Sequence, residues 1–410
     1  MNNRTVLVYD NGLHVELARH LGKSFDRVLY YSPWKMAFPR SASVLVGSGI
    51  EGVERVNDFW DVMKEVDLFV FPDLYEGDLQ EYLREEGKDV WGSGRSQIYE
   101  LDRWKMRELQ KELGMPTPKT RLIKGLEKLI TLVEKEEDLY IKINTFRGDM
   151  ETFHHVKYEL SKPWLDELAF FLGPRQYTIE FIVENGVEGV ETGWDGYLIN
   201  GKLPPVCSYG YEIKDAGFVG RVTTQEDIPP GLVEVTEILA PHLSSLRGFF
   251  STECRVTEEG EYYMIDPCIR APSPPSEAYQ VVYENLPEVI ESGAAGQIEE
   301  LKGRKEYFAL IVLESPWVEN NWLAVEVPKE HRDAVKLRNL AVVEGVTYCA
   351  PLKFTAFGLA VGLGDSMEAA VKDCLKVAMS VEAYQFDAKT DALQEASEVV
   401  AKGEKFGISF

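Results

Sequence analysis

Two apolar runs at residues 249–256 and 261–268, parted by Thr257-Glu258-Glu259-Gly260, constrain the fold more than any other stretch, because they read as the arms of an antiparallel hairpin. With Val256 opposite Glu261, Glu253 faces Met264, and Asp266 lies one diagonal step along the same face. Two carboxylates aimed at one point from neighbouring strands suit a hard divalent cation that keeps waters and bridges substrate phosphates. In a chain with 68 acidic residues the same pair also fits an ordinary solvated face, so the surrounding sequence has to decide.

At 410 residues the chain exceeds one ordinary core, and 45% hydrophobic with 27% charged residues describes a folded globular protein. Its net charge of −24 repels nucleic acid and anionic membranes, so neither is an expected partner. No stretch is apolar for long enough to span a bilayer, and residues 1–5 lead into a strand without a signal-peptide core; the expectation is a soluble, cytoplasmic protein. The five scattered cysteines fit neither a disulfide framework nor a zinc site, and no His-x-x-x-His spacing occurs.

In chain order, residues 5–9, 12–21 and 27–31 read as strand, helix, strand, the beginning of a parallel sheet whose ligands sit at the carboxyl ends of its strands. Asp10 lies at one such end, without the glycine spacing of a dinucleotide site. Asp73 and Tyr75 lie at another, after a strand at 66–71; all three are candidate substrate contacts, and each also fits a solvated loop. A helix is expected over 100–113, stopping at Gly114, followed by a strand at 120–123, a helix at 126–135 and a strand at 139–144 that carries Lys142 among apolar neighbours. The turn holding Arg147 and Gly148 follows directly and offers backbone amides to a phosphate. Residues 176–183 read as a strand entering a hairpin at Glu184-Asn185-Gly186, with its return strand at 187–194. The span 207–224 contains Gly210, Gly217 and Gly220 without a sustained apolar period and reads as a long mobile loop over a site. A helix at 232–246 leads into the hairpin; helix-like sequence at 276–292 follows it, and the rest carries strands at 308–313, 322–327 and 357–361 with helices at 366–379 and near 391–401.

The order of these features resembles that of the ATP-grasp enzymes, and within them the phosphoribosylamine–glycine ligases. Asp102-Arg103 with Gly114-Met115-Pro116-Thr117 is similar to the family's Asp-Lys helix and its Gly-Ile-Pro-Thr ending, which places Arg103 where the family has a phosphate-binding lysine. Lys142 matches the second ATP-binding lysine, and Arg147 stands in the phosphate loop. Glu180-Phe181-Ile182 resembles the linker that reads adenine with its backbone, through the Glu180 carbonyl and the Ile182 amide; Glu188 matches the ribose acid, with Glu184 as competitor. Lys214 and Arg221 fall within the counterpart of the substrate loop. Glu253 and Asp266 match the metal carboxylates and Arg270 the closing arginine of the Glu-x-Asn-Pro-Arg signature, which reads Asp266-Pro267-Cys268-Ile269-Arg270, so Cys268 replaces the metal-ligating Asn.

The resemblance implies an α/β chain of α+β subdomains: a parallel-sheet pre-ATP-grasp domain at 1–118, the small ATP-grasp subdomain at 119–184, the large one at 185–300, and a mixed α/β domain at 301–410. It implies an ADP-forming ligase that uses ATP and Mg²⁺, with Mn²⁺ as the alternative ion, to join a small carboxylate to an amine through an acyl phosphate. Arg270, Lys214 and Arg221 are then the catalytic candidates. A catalytically degraded nucleotide-binding or scaffold protein and an ATP-dependent phosphotransferase are the alternatives on the same fold. A thiol is a poor Mg²⁺ ligand, so Cys268 makes the number of metals the open point.

Overall fold

The computed structural model describes residues 2–32, 45–145, 152–213, 216–351, 353–390, 393 and 395–410. Strands Asn2–Tyr9, Phe25–Tyr31, Glu54–Arg55, Leu68–Val70 and Asp89–Trp91 form a five-stranded parallel sheet with Asn2–Tyr9 at its centre. The central stretches Val6–Val8 and Leu68–Val70 are apolar throughout because both faces are covered. Val6, Val8, Val28 and Tyr30 enter the main core, whereas Leu7, Leu29, Phe69 and Val90 close a second core on the other side.

A four-stranded antiparallel sheet follows, in the order Thr120–Lys124, Glu180–Asn185, Leu139–Ile143, Thr152–His155. Helices Leu126–Val133 and Tyr158–Leu172 bury Leu126, Leu129, Leu165 and Leu168 against its Ile141, Phe181 and Val183.

The largest sheet runs Tyr262–Cys268, Arg247–Val256, Val190–Ile199, Val206–Ile213, Gly217–Thr224, Tyr307–Glu314, Ala356–Gly364, Val335–Leu337. Strands from either side of residue 300 therefore share one sheet, with Gly217–Thr224 laddered to Tyr307–Glu314 from Gly217↔Ile311 to Arg221↔Tyr307. Among the described residues no helix is long and apolar enough to cross a membrane. All five cysteines are free and buried.

Several local expectations give way. The described residues of 207–224 lie mostly in two paired strands, Val206–Ile213 and Gly217–Thr224, since Cys207, Tyr209, Tyr211 and Ile213 alternate on one side while Gly210 sits opposite Gly220. Residues 184–194 make no hairpin: Glu180–Asn185 belongs to the small sheet and Val190–Ile199 to the large one. Between them Gly189 passes so close to the Val256 carbonyl that a Cβ would lie 2.3 Å from its oxygen. The expected helix over 100–113 is two, Ile98–Leu101 and Arg103–Glu112, broken at extended Asp102, whose side chain accepts the Lys105 N–H at 3.3 Å and caps the second helix. The helix expected over 276–292 is likewise split into Pro275–Val282 and Leu286–Ala294.

Candidate functional site

The hairpin is out of the simple register. Val256 pairs with Tyr262 and Cys254 with Met264, but Glu253 pairs with Asp266, so Ile265 is an extra, bulged residue. The bulge replaces the expected diagonal by a direct cross-strand pair of carboxylates. Its freed carbonyls are satisfied by the helix Arg103–Glu112: Arg107 donates to Ile265 O at 2.6 Å and Met264 O at 3.2 Å, and Gln110 donates to Met264 O at 2.9 Å. Arg103, Arg107 and Gln110 are buried on one face of that helix, at i, i+4 and i+7. That polar stripe on an otherwise apolar face is the signal by which Arg107 and Gln110 could have been found.

The paired carboxylates are electrostatically unlike. Enclosure by the protein, then Asp266, Glu212 and Glu191, push Glu253 well above the usual carboxylate range. Enclosure would raise Asp266 too, but Lys142, Arg103 and Arg107 hold it well below that range, and Lys142 Nζ donates to Asp266 Oδ2 at 2.7 Å. The Arg270 guanidinium donates to the buried Glu100 at 3.0 Å and lies 3.9 Å from Asp73. Glu100 also accepts the Ile269 amide, and Ala271 N–H donates to Pro72 O at 2.8 Å, so the end of the hairpin is pinned beside the parallel sheet. Asp73, a substrate candidate, is thereby brought next to Arg270.

Glu253, Asp266, Cys268 and Arg270 line one cavity of about 260 Å³. Its floor is the large sheet, where Gly193 lies between Glu253 and Gly210 and the Phe218 ring lies against Gly210. Asp195 and Glu212 stand on the same surface. Burial pushes Asp195 up to about 7.

On the other side of Asp266 the structure is closed. The hollow bounded by Tyr99, Arg103, Arg107, Lys142, Glu184 and Asp266 holds about 10 Å³, no more than one water requires. Arg107 fills it, donating to both Glu184 oxygens at 2.6 and 3.1 Å, while Thr120 donates to Glu184 at 2.9 Å. Arg103 donates to Ile143 O at 2.8 Å.

The remaining candidates fall elsewhere. Glu184 is a buried ion-pair partner, which removes it as a ribose acceptor in this arrangement; Glu188 lines a separate hollow of about 760 Å³ beside the hairpin turn. The Glu180 carbonyl accepts the Asn144 N–H at 2.9 Å, Phe181 is fully buried, and Ile182 lies between two paired strands, so the backbone expected to read adenine is engaged within the small sheet. Arg221 bonds Glu306 at 2.8 Å beside the Tyr307 ring and does not line the cavity, since its neighbours toward that face are Phe218 and Gly220. Asp10 accepts from Gly12 N, His14 N and the Tyr30 hydroxyl at 2.7–2.9 Å, which makes it the organiser of its own loop. Tyr75 is exposed in a left-handed conformation, φ 86°, away from the cavity. Arg147 and Lys214 lie outside the described residues.

A parallel-sheet domain, a small antiparallel sheet and a large sheet carrying a two-carboxylate hairpin together make the ATP-grasp fold, the fold of the phosphoribosylamine–glycine ligases and their structural kin. A phosphoribosylamine–glycine ligase from Thermotoga maritima superposes with a TM-score of 0.71 over 94% of this chain and 99% of its own, at 15% identity. The biotin carboxylase domain of the Hydrogenobacter thermophilus 2-oxoglutarate carboxylase, solved with MgADP, ADP and bicarbonate, gives 0.69 over 100% and 96%, at 11% identity. An L-amino acid ligase from Bacillus licheniformis gives 0.59 over 93% and 99%, at 13% identity. No protein-family model and no curated protein matches the sequence.

Proposed function

We propose that this protein is an ADP-forming carboxylate–amine ligase that makes an amide from small-molecule substrates through an acyl phosphate, using ATP and Mg²⁺. The observation that carries the reading is the direct Glu253–Asp266 pair at one cavity of an ATP-grasp fold, with Arg270 lining the same cavity and Lys142 donating to Asp266 from its other side.

The residues fit a hard cation. Glu253 and Asp266 face each other; burial first, and then the charge of Asp266, raise Glu253, and a cation would offset both. Among the described residues no three His, Cys, Asp or Glu side chains gather as a complete metal cage, which agrees with the habit of Mg²⁺ of taking one or two carboxylates and leaving other positions to water and phosphate. Bound there, the ion would neutralise charge on the phosphates. Arg270, oriented by Glu100, stabilises charge on the transferring phosphoryl group, and Lys142 holds Asp266 ionised. A carboxylate oxygen bonds to the γ-phosphorus as ADP leaves; an amine nitrogen then bonds to the acyl carbon as inorganic phosphate leaves, the amine losing a proton. Purified protein is expected to release ADP only when Mg²⁺, ATP, a carboxylate and an amine are all present. Absence of such release across a panel of amino acids and amines sinks the reading.

One observation favours a second reading, a fold-retaining protein without turnover. Arg107 and Glu184 fill the inner hollow, and Cys268 supplies a soft thiol where a hard donor is expected. That protein would show a thermal shift with ATP and Mg²⁺ but no ADP, or no shift at all.

A further inference from the structure

The bulge at Ile265 decides which face of the hairpin carries Asp266. From Val256↔Tyr262 to Cys254↔Met264 the strands keep one register, and that register continued would set Glu253 opposite Ile265 and Asp266 opposite Thr252. Side chains alternate along a strand, so a slip of one residue exchanges the faces. Ser251 and Glu253 line the cavity, whereas Thr252 between them is fully buried and bonded to the Thr236 hydroxyl at 3.1 Å. In the regular register Asp266 would therefore enter the core that holds Cys254 and Met264, where an enclosed carboxylate is costly. The extra residue instead places Asp266 and Cys268 on the cavity face with Glu253.

Tyr262–Cys268 stands at an edge of the large sheet, and the bulge is gripped from that side. The buried Arg107 uses all five of its N–H donors there, two on Glu184 and one each on Gln110, Met264 O and Ile265 O, at 2.6–3.2 Å. Gln110, the acceptor of one of these bonds, donates in turn to Met264 O at 2.9 Å. Only a planar guanidinium satisfies this set, since an ammonium has fewer donors and no fork. We propose that Arg107, backed by Gln110, is a positioning residue: by holding the two carbonyls of the bulge it keeps Asp266 beside Glu253 and so forms the cation site. This role rests on the reading of that pair as a cation site.

The test reads Mn²⁺ binding to the nucleotide-free protein by electron paramagnetic resonance, with ADP release measured beside it. Arg107→Met combined with Glu184→Gln removes both buried charges together and is expected to weaken Mn²⁺ by about tenfold or more. Glu184→Gln alone leaves Arg107 on the bulge and is expected to keep the parent affinity. Deletion of Ile265 makes the register regular with Asp266 opposite Glu253; in that background the double substitution is expected to leave Mn²⁺ affinity unchanged. A residue that only stabilised the fold would not be made dispensable by that deletion. Should either change fail to fold, Gln110→Met in the parent chain decides, with Mn²⁺ expected to bind about threefold more weakly. Parent affinity in the Arg107 or Gln110 variant, an equal loss after the deletion, or no Mn²⁺ binding by the parent overturns the assignment. Mn²⁺ binding that depends on Arg107 without any ADP release refutes the ligase reading and leaves the positioning role standing.

Discussion

Asp266 has one oxygen on Lys142 and borders both the open acidic cavity and the filled inner hollow, so charge at this residue governs two environments. Asp266→Asn keeps the shape and removes the charge; ADP release is expected to fall by about a hundredfold or more, the scale for losing one group that stabilises transition-state charge. Unchanged turnover in a coupled ADP assay would refute the metal assignment. Glu184 makes a different kind of case. Its burial would raise its pKa, but Arg107 more than offsets this, and Glu184→Ala leaves Arg107 enclosed without its partner. The expected loss is about 3–5 kcal/mol of stability in urea unfolding, whereas replacing both residues by apolar ones of similar volume recovers most of it. Glu253, Asp266, Lys142 and Arg270 were legible because their order along the chain carries the resemblance. Arg107 was not, because its partners lie 77, 157 and 158 residues away and only the folded chain brings them together.

Elements were legible where an apolar run was unbroken, as at Val6–Val8 and Leu68–Val70, whose burial follows their sequence directly. The strands at 206–224 were misread because glycine and serine dilute the apolar alternation, and the very glycines that suggested mobility are what let neighbouring strands and side chains approach. A Cβ on Gly210 would sit 2.2 Å from Val219 O and 2.6 Å from the Phe218 ring. Gly210→Ala is therefore expected to destabilise by roughly 1–3 kcal/mol, the range for overpacking a filled site. A chemical denaturation midpoint equal to that of the parent protein would show that the strands are not held at this spacing. The helix break at Asp102 was equally hidden, since the apolar period of residues 98–113 continues through a residue whose extended backbone only its capping bond reveals.

At the scale of the whole molecule, the parallel sheet is clamped to the far edge of the large one. Arg19 and Lys23 pair with Asp333 at 3.0 and 2.8 Å, and Arg332 with Glu16 at 2.8 Å. Lys336 is enclosed beneath that clamp, and burial, opposed by Glu16, lowers its pKa to about 7. Its folded pKa lies below the unfolded one, so between pH 7 and about 10.4 the unfolded chain binds more protons and stability rises with pH. Below pH 7 the full penalty remains. Lys336→Met is thus expected to raise the melting temperature most at pH 6, with the advantage over the parent shrinking steadily toward pH 10; a difference independent of pH would refute the enclosed ammonium. Strands from either side of residue 300 pair in one sheet, a linkage between distant parts of the chain that local composition does not record. The same continuity bears on synthesis. Val6 and Ile408 share one core, Tyr209 bonds Ser409 O at 2.7 Å, and the Phe410 ring lies against Tyr209, Tyr211 and Tyr307. A nascent chain of 300 residues still lacks the strand that closes Gly217–Thr224, so it emerges with an open sheet edge, and protease resistance is expected only once the residues from Tyr307 onward have joined the fold.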